Sequence, residues 1–396
     1  MERWRTYSLE YSDLPTMVAN VADLLKHMGL NIDGKVRVIP ILSVIWTVIS
    51  ALLYLYVYTF SILWHVCWRG TGDTVADAVL LSLACASMTG LLKLFFLHFT
   101  RKRLQNTIIS YLKFDERLCG ESRMYRRLVK NLRVIKKRGS TIWIVLVVNG
   151  IFYCSMPLLL PGRHLMEDMH VIYGLEPMFE TPNYEIAHIL SWITVMLVVY
   201  CSGGIDVLLI TLSGYVEAQM ITLSDEMLDL WPDAQALTFE DGQDEHKLRD
   251  LYIQQQLEYI VQAHVANLAL LRLTEGIFIN AIAVEFCLLG VAMIAELLGG
   301  IENTYIQIPF AFSQVSMDCF IGQRLLEASE RFSEAVYDCK WENFNASNMK
   351  TVLMILKNSR TMVISAGGVA ELRYTSLMAI IKSIYSAYMA LQSTVD

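Results

Sequence analysis

Long uncharged runs alternate with polar stretches along most of this chain, and the lengths of those runs set the first expectation. A helix needs about 20 apolar residues to cross a bilayer. Residues 38–63 carry no charge, and Trp46, Trp64 and Trp68 offer interfacial anchors. Residues 74–99, 139–161 and 187–205 are the second, third and fourth predicted spans, the last ending at Gly203-Gly204-Ile205-Asp206. Lys93, near one end of the second, is expected to snorkel toward Arg101. The later runs are interrupted. Glu275, Glu285 and Glu296 break the fifth into 276–284 and 286–295; Asp318 falls in the sixth, 304–323, and Lys382 in the seventh, 374–392. Ionisable groups are costly in lipid, so these three helices are expected to face protein or water.

The connection after the fourth span is also patterned. Val216, Met220, Leu223 and Met227 repeat at helical spacing, as do Leu257, Ile260, Val261, His264, Val265 and Leu268. Trp231-Pro232 through Gly242 punctuates the two. The reading is a pair of helices that project from spans four and five beyond the membrane, joined by an acidic turn. Residues 324–358 read as helical too, with an interruption over 340–348.

Composition agrees with a polytopic membrane protein: 55% of the 396 residues are hydrophobic and 18% charged, against about a quarter charged in soluble domains. Net charge of −7 says little, because the charges are segregated. Thirteen Lys/Arg lie between residues 101 and 138, while the stretches 64–73 and 162–187 carry one each, Arg69 and Arg163. Cytosolic loops keep the Lys/Arg excess. The basic loop follows the second span, so the N-terminus is expected in the cytosol and, after seven spans, the C-terminus outside. No cleavable signal is expected in the first 37 residues, and the first span serves as its own insertion signal. The eight cysteines show no metal-like spacing, and only Cys67 falls clearly outside, which disfavours a disulfide framework. The sequon Asn345-Ala346-Ser347 falls on the cytosolic side and should stay unmodified.

The fold class expected is therefore all-α: seven transmembrane helices extended into a cytosolic anchor bundle. Its segments are a cytosolic 1–37, spans one to four over 38–215, a cytosolic helical connection 216–270, spans five and six over 271–326, anchor helices 327–371, and a pore-lining helix with extracellular tail, 372–396.

Catalytic chemistry is not expected. The eight histidines are scattered, without HExxH, GxSxG or a Walker-type glycine loop. No metal or cofactor is implied. The run from Arg123 to Arg138 abuts the third span, which favours anionic lipid over nucleic acid as its partner. Lys382 suggests a retinal Schiff base, but the third span offers no carboxylate counter-ion. Glu116-Arg117 follows the second span rather than the third, and no NPxxY-like run occurs in the seventh. With the reversed orientation, coupling to a G protein is not expected.

The most specific pattern begins at Tyr337-Asp338-Cys339-Lys340-Trp341, ahead of a basic helix running from Met349-Lys350 to Leu356-Lys357-Asn358-Ser359-Arg360. Ser365-Ala366-Gly367-Gly368, Leu372, and Lys382-Ser383-Ile384-Tyr385-Ser386-Ala387-Tyr388 to Leu391 follow. In order and spacing this resembles the C-terminal signature of insect odorant receptors. The resemblance implies a ligand-gated, non-selective cation channel in the plasma membrane of sensory neurons. It also implies a heterotetramer, in which an odorant-tuned subunit joins the shared odorant co-receptor (Orco). Intracellular helices would anchor the subunits, and the last span would line the pore. By the tail match the pore residues are Tyr385, Met389, Ala390, Leu391, Gln392 and Ser393, with the gate at Ala390. The co-receptor has a branched aliphatic residue at the gate, so alanine here implies that the partner supplies most of the constriction.

The family's pockets lie in the outer half of the membrane domain, and a small volatile calls for an apolar, aromatic lining with one or two polar handles. Candidates in the outer thirds of the spans are Phe152, Tyr153, Met156, Tyr184, His188, Trp192, Met293, Tyr305, Phe310 and Phe312, with His188 and Tyr305 as the polar handles. Ordinary helix packing competes for each singly. A gustatory receptor acting as a homotetramer shares the architecture, but its usual TY…QF ending is not clear here. A secondary transporter would explain Glu285, Glu296, Asp318 and Lys382, but transporters show internal repeats and helices broken at matching positions.

Overall fold

The hydropathy pattern becomes a set of helices, several far longer than a bilayer. In the computed structural model the described residues are 6–32, 41–69, 72, 74–118, 122–237, 245–359 and 361–395. Residue 38, where the first span was expected to start, and Gly242 of the acidic turn lie outside them. The helices are α1 (Leu14–Lys26), α2 (Ile41–Trp68), α3 (Thr74–Phe99), α4 (Arg101–Leu118), α5 (Arg123–Leu159), α6 (Asn183–Gln235) and α7 (Glu245–Leu298). After a single turn, Ile301–Thr304, come α8 (Gln307–Asp338), α9 (Ala346–Asn358) and α10 (Tyr374–Val395).

Five of these, α2, α3, α5, α6 and α7, are long and apolar enough to cross a membrane. The sixth and seventh predicted spans fold as α8 and α10. At 1.5 Å per residue, the 53-residue α6 is about 80 Å long, against a hydrocarbon core of ~30 Å. The fourth span and the helix expected after it are thus one rod. The predicted break at Trp231-Pro232 does not occur there: Pro232 is tolerated inside α6, which runs on to Gln235.

The basic and acidic stretches meet at one end of the molecule. Arg138 grips Glu217 at 2.7 Å, and Arg324 reaches the same carboxylate at 3.2 Å. Arg123 and Arg127 pair with Glu226, Asp229 and Asp233. Beneath them a core runs through Leu128, Leu132, Tyr215, Leu223, Ile260, Phe332 and Val336, which joins the projecting halves of α5 to α8. In the same core, Asp115 accepts from Tyr215 at 3.1 Å, and burial pushes its carboxyl up to about 6.

Sequence reading assigned no element to the N-terminal segment, yet α1 is part of this core. Asp13 caps it by accepting from the Thr16 amide at 3.1 Å. Lys136 then holds the preceding residues through the carbonyls of Thr6, Ser8 and Tyr11 at 2.8, 2.6 and 2.6 Å.

The tail glycines make a hairpin in which Ser365–Ala366 pairs with Ala370–Glu371. Gly367 and Gly368 have φ of 61° and 72°, which other residues rarely adopt. The hairpin is tied to α7 by Glu275, whose Oε1 accepts from the Ser365 hydroxyl at 2.6 Å. It also lies so close to α8 that a Cβ on Gly322 would collide with the Leu372 carbonyl oxygen.

Lys93 differs from expectation. It does not snorkel; only 4% of it is exposed, with Asp206 of α6 at 2.7 Å and Glu285 of α7 at 2.6 Å. Its ammonium also donates to Gln314 of α8 at 3.2 Å, and fully buried Asp318 adds a third carboxyl. Partners on three other helices make an interior position cheaper than reaching for the interface.

Removing this ammonium leaves buried carboxylates unpaired. Lys93→Met is expected to destabilise the fold by about 3–5 kcal/mol, read as a lower unfolding midpoint of the purified protein. Adding Asp206→Asn and Glu285→Gln should recover much of it. An unchanged midpoint in Lys93→Met would show that the pairing contributes nothing.

Candidate functional site

Five helical elements converge on one cavity. Tyr58 reaches it from α2, Leu83, Ala86 and Ser87 from α3, and Asn149, Gly150 and Tyr153 from α5. Val195, Val198 and Val199 come from α6, and Ile306, Gln307 and Phe310 from the start of α8. Tyr58 belongs to a π-helical stretch of α2, Leu55–Phe60, a widened turn frequent at functional sites. Two glycines bring the walls together. A Cβ on Gly90 would stand 2.8 Å from the Val198 carbonyl oxygen, and one on Gly150 would stand 2.9 Å from the Val199 side chain. Close backbone approach at small residues is a common way for helices to pack in membranes.

With its mouth, the cavity offers about 540 Å³ not filled by protein atoms, within the range of small-molecule pockets, about 300–1,000 Å³. The lining is mostly aliphatic. Ser87 is already engaged with the Tyr54 hydroxyl at 2.9 Å. Asn149 makes no hydrogen bond among the described residues, so its amide is free to meet a ligand.

A folded loop, residues 160–182, is anchored to three of the lining residues, Tyr58, Tyr153 and Gln307. Glu167 is its keystone: its Oε1 accepts from the Tyr153 hydroxyl at 3.1 Å and from the Gln307 amide. Gln307 in turn accepts from Ser82 of α3 at 2.8 Å, so loop, α3, α5 and α8 share one polar chain. His170 lies within 3.0 Å of the Val57 carbonyl oxygen and stacks on Tyr58, 5.5 Å between centroids. Arg163 donates to the Phe179 carbonyl at 2.7 Å and covers the Tyr184 ring. Burial pushes the Glu167 carboxyl up to about 7, outweighing the two donors, and pushes His170 down to about 4. His164, on the outer surface, is raised by its hydrogen bond to Asp168.

Of the residues proposed from sequence, Tyr153 and Phe310 line this cavity. Tyr184 and His188 stack 6.2 Å apart, and the Tyr184 hydroxyl is spent on the His164 carbonyl. Met156 is half-buried on α5, and Met293 is buried with Leu289, Ala311 and Val315. Phe152, Trp192, Tyr305 and Phe312 are 50%, 44%, 48% and 44% exposed, on outward faces of the bundle. The residues missed are mostly small and aliphatic. Asn149-Gly150 within an otherwise apolar span was the readable signal, as was Tyr58 on the first span.

The helix expected to line a pore, α10, packs on α7 and α8 through Leu377 and Ile384. Tyr385, Met389, Ala390, Leu391, Gln392 and Ser393 are exposed, as is Lys382. An apolar helix with one stripe covered leaves the rest for lipid or another subunit.

A sequence profile of the family described as 7tm Odorant receptor matches residues 73–385. Among solved structures, the insect olfactory receptor OR5 from Machilis hrabei is similar, with a TM-score of 0.72 at 11% identity, over 96% of this chain and 98% of that one. The same receptor in complex with eugenol gives 0.75 at 10% identity, with the same coverage. No curated protein sequence matches this chain.

The raised Glu167 carboxyl fixes a sign for pH. Its folded state binds the proton more tightly, so this contribution is complete below about 4.5 and is lost as pH rises toward about 7. Hydrogen exchange of residues 163–178, corrected for intrinsic rates, should show protection falling across that window. Glu167→Gln should flatten the profile; an equally sloped profile in the variant would remove Glu167 as its cause.

Proposed function

Because this chain belongs to the 7tm odorant receptor family, we propose that it is an odorant-tuned subunit of a ligand-gated, non-selective cation channel. A small volatile binds in the cavity between α2, α3, α5, α6 and α8, and α10 lines the pore together with subunits of the odorant co-receptor. The observation that carries this reading is the aliphatic cavity, walled by five elements, with the Glu167-held loop bonded to two of its lining residues, Tyr153 and Gln307. Its lining of apolar groups with few polar handles suits a volatile. Eugenol, bound by the similar Machilis hrabei receptor, is of that chemical class.

Within the cavity Asn149 is the polar handle, and Tyr153 and Phe310 give aromatic contact. The exposed faces of α10 support a pore completed by neighbouring subunits. Small Ala390 at the gate leaves the co-receptor to supply the bulk. The basic end of the bundle, with α4, α9 and the projecting halves of α5 to α8, lies in the cytosol as the anchor between subunits. The loop over the cavity then faces outside, in the plasma membrane of sensory neurons.

Whole-cell current decides this, measured in cells expressing the chain with and without the co-receptor against a panel of volatiles. Ligand-evoked cation current that requires the partner is expected; robust current from the chain alone would make it a self-sufficient channel. Asn149→Leu is expected to raise the half-maximal concentration by about 3- to 10-fold, the worth of one hydrogen bond. Tyr305→Ala and His188→Ala should shift it less, since neither residue lines the cavity.

In the same cells, Met389→Ala and Gln392→Ala should change ion permeability ratios at nearly constant potency. Equal ratios in both variants would take α10 out of the pore.

A further inference from the structure

The central cavity has an annexe beside the loop. It shares Tyr58, Leu83 and Tyr153 with the cavity wall and is completed by Glu167, His170 and Ser191 among others. About 240 Å³ of it is not filled by protein atoms, short of a small-molecule pocket, about 300–1,000 Å³. It can take a head group, with the rest of the molecule in the cavity.

The annexe differs from the cavity in charge. Glu167 Oε1 is met by the Tyr153 hydroxyl and the Gln307 amide, whereas Oε2 has no hydrogen-bond partner among the described residues. Ser191 is 8% exposed, and its hydroxyl is likewise unpaired among them. No cation among the described residues answers the carboxyl. Arg163 is spent on the Phe179 carbonyl, Thr181 and the Tyr184 ring, and His164 on Asp168. Asp168, next in sequence, adds a like charge. Burial pushes His170 down to about 4, so it is neutral and supplies no counter-charge. A buried carboxyl in this setting gains most from a positive group that also donates hydrogen bonds.

We propose, resting on the reading that this cavity receives a small volatile, that its ligand is an aliphatic primary amine. The ammonium sits in the annexe against Glu167 Oε2 and the Ser191 hydroxyl, and the alkyl chain lies along Leu83, Ala86, Val195 and Val198. A primary alcohol of the same length brings a single donor and no charge. A carboxylic acid brings a like charge against Glu167.

Binding is measured apart from conduction, on the purified full chain in lipid nanodiscs, from the rise in unfolding midpoint with pentylamine or pentan-1-ol. At neutral pH pentylamine is expected to bind at least about tenfold more tightly, the effect of one charge-assisted hydrogen bond. Glu167→Gln should bring the two affinities within about threefold of each other. Ser191→Ala, a smaller change, should weaken pentylamine about 3- to 10-fold, and it decides the matter should Glu167→Gln fold poorly. Equal affinities of the unsubstituted chain for the two compounds, no binding of pentylamine, or an amine preference that survives Glu167→Gln would each overturn the assignment. Pentylamine that binds as expected but evokes no current with the co-receptor would leave the ligand class standing and sink the channel reading.

Discussion

An ammonium group kept at 4% exposure within a membrane protein must be surrounded by partners, and Lys93 draws them from three other helices at one level. Each charge taken from water costs several kcal/mol, recovered only when geometry is good and the partners arrive together. The registers of α3, α6, α7 and α8 are therefore linked. Gly90, one turn from Lys93, sharpens the constraint by letting α3 press against the α6 backbone at Val198. Sliding either helix by a turn would separate Lys93 from Asp206 and drive a side chain into that contact.

The cavity lies between this pin and the loop. Ala86 and Ser87 precede Lys93 by two turns or less on α3, and Val195 to Val199 precede Asp206 by two to three turns on α6. On its other side Glu167 binds Tyr153 and Gln307. α8 takes part at every level: Gln307 and Phe310 line the cavity, Gln314 meets Lys93, and Val315 and Cys319 pack with Leu377 and Ile384 of the last helix. Cavity, ion cluster and α10 thus share one element.

How much of this was legible follows from what a linear sequence records. The first four spans are long runs with at most two charges, so their existence was readable from length alone, whereas the tail hairpin fell inside the segment expected as anchor helices, 327–371, although Gly367-Gly368 is a turn signal. Lys93 was misread because its partners stand more than a hundred residues away, and hydropathy has no term for partners. Helix α1 was missed although Asp13-Leu14-Pro15 is a fair start signal, because its burial depends on surfaces of α6 and α4. The cavity was half seen. Aromatic residues were sought, and Tyr153 and Phe310 lie there, but Ala86, Gly150 and the valines shape it by being small. A cavity consists partly of side chains that are absent, which residue type does not advertise.

Unbroken α6 has a mechanical corollary. Asp206 lies 9 residues beyond Leu197, midway along the cavity wall between Val195 and Val199, and Gln235 at the far end lies 29 residues beyond Asp206. At 1.5 Å per residue these arms are about 14 and 44 Å. Were the rod to tilt about its ionic fulcrum, the arm among the basic and acidic side chains would sweep about three times the distance moved at the cavity. A displacement smaller than a bond length at one end becomes, at the other, a shift comparable to a hydrogen bond.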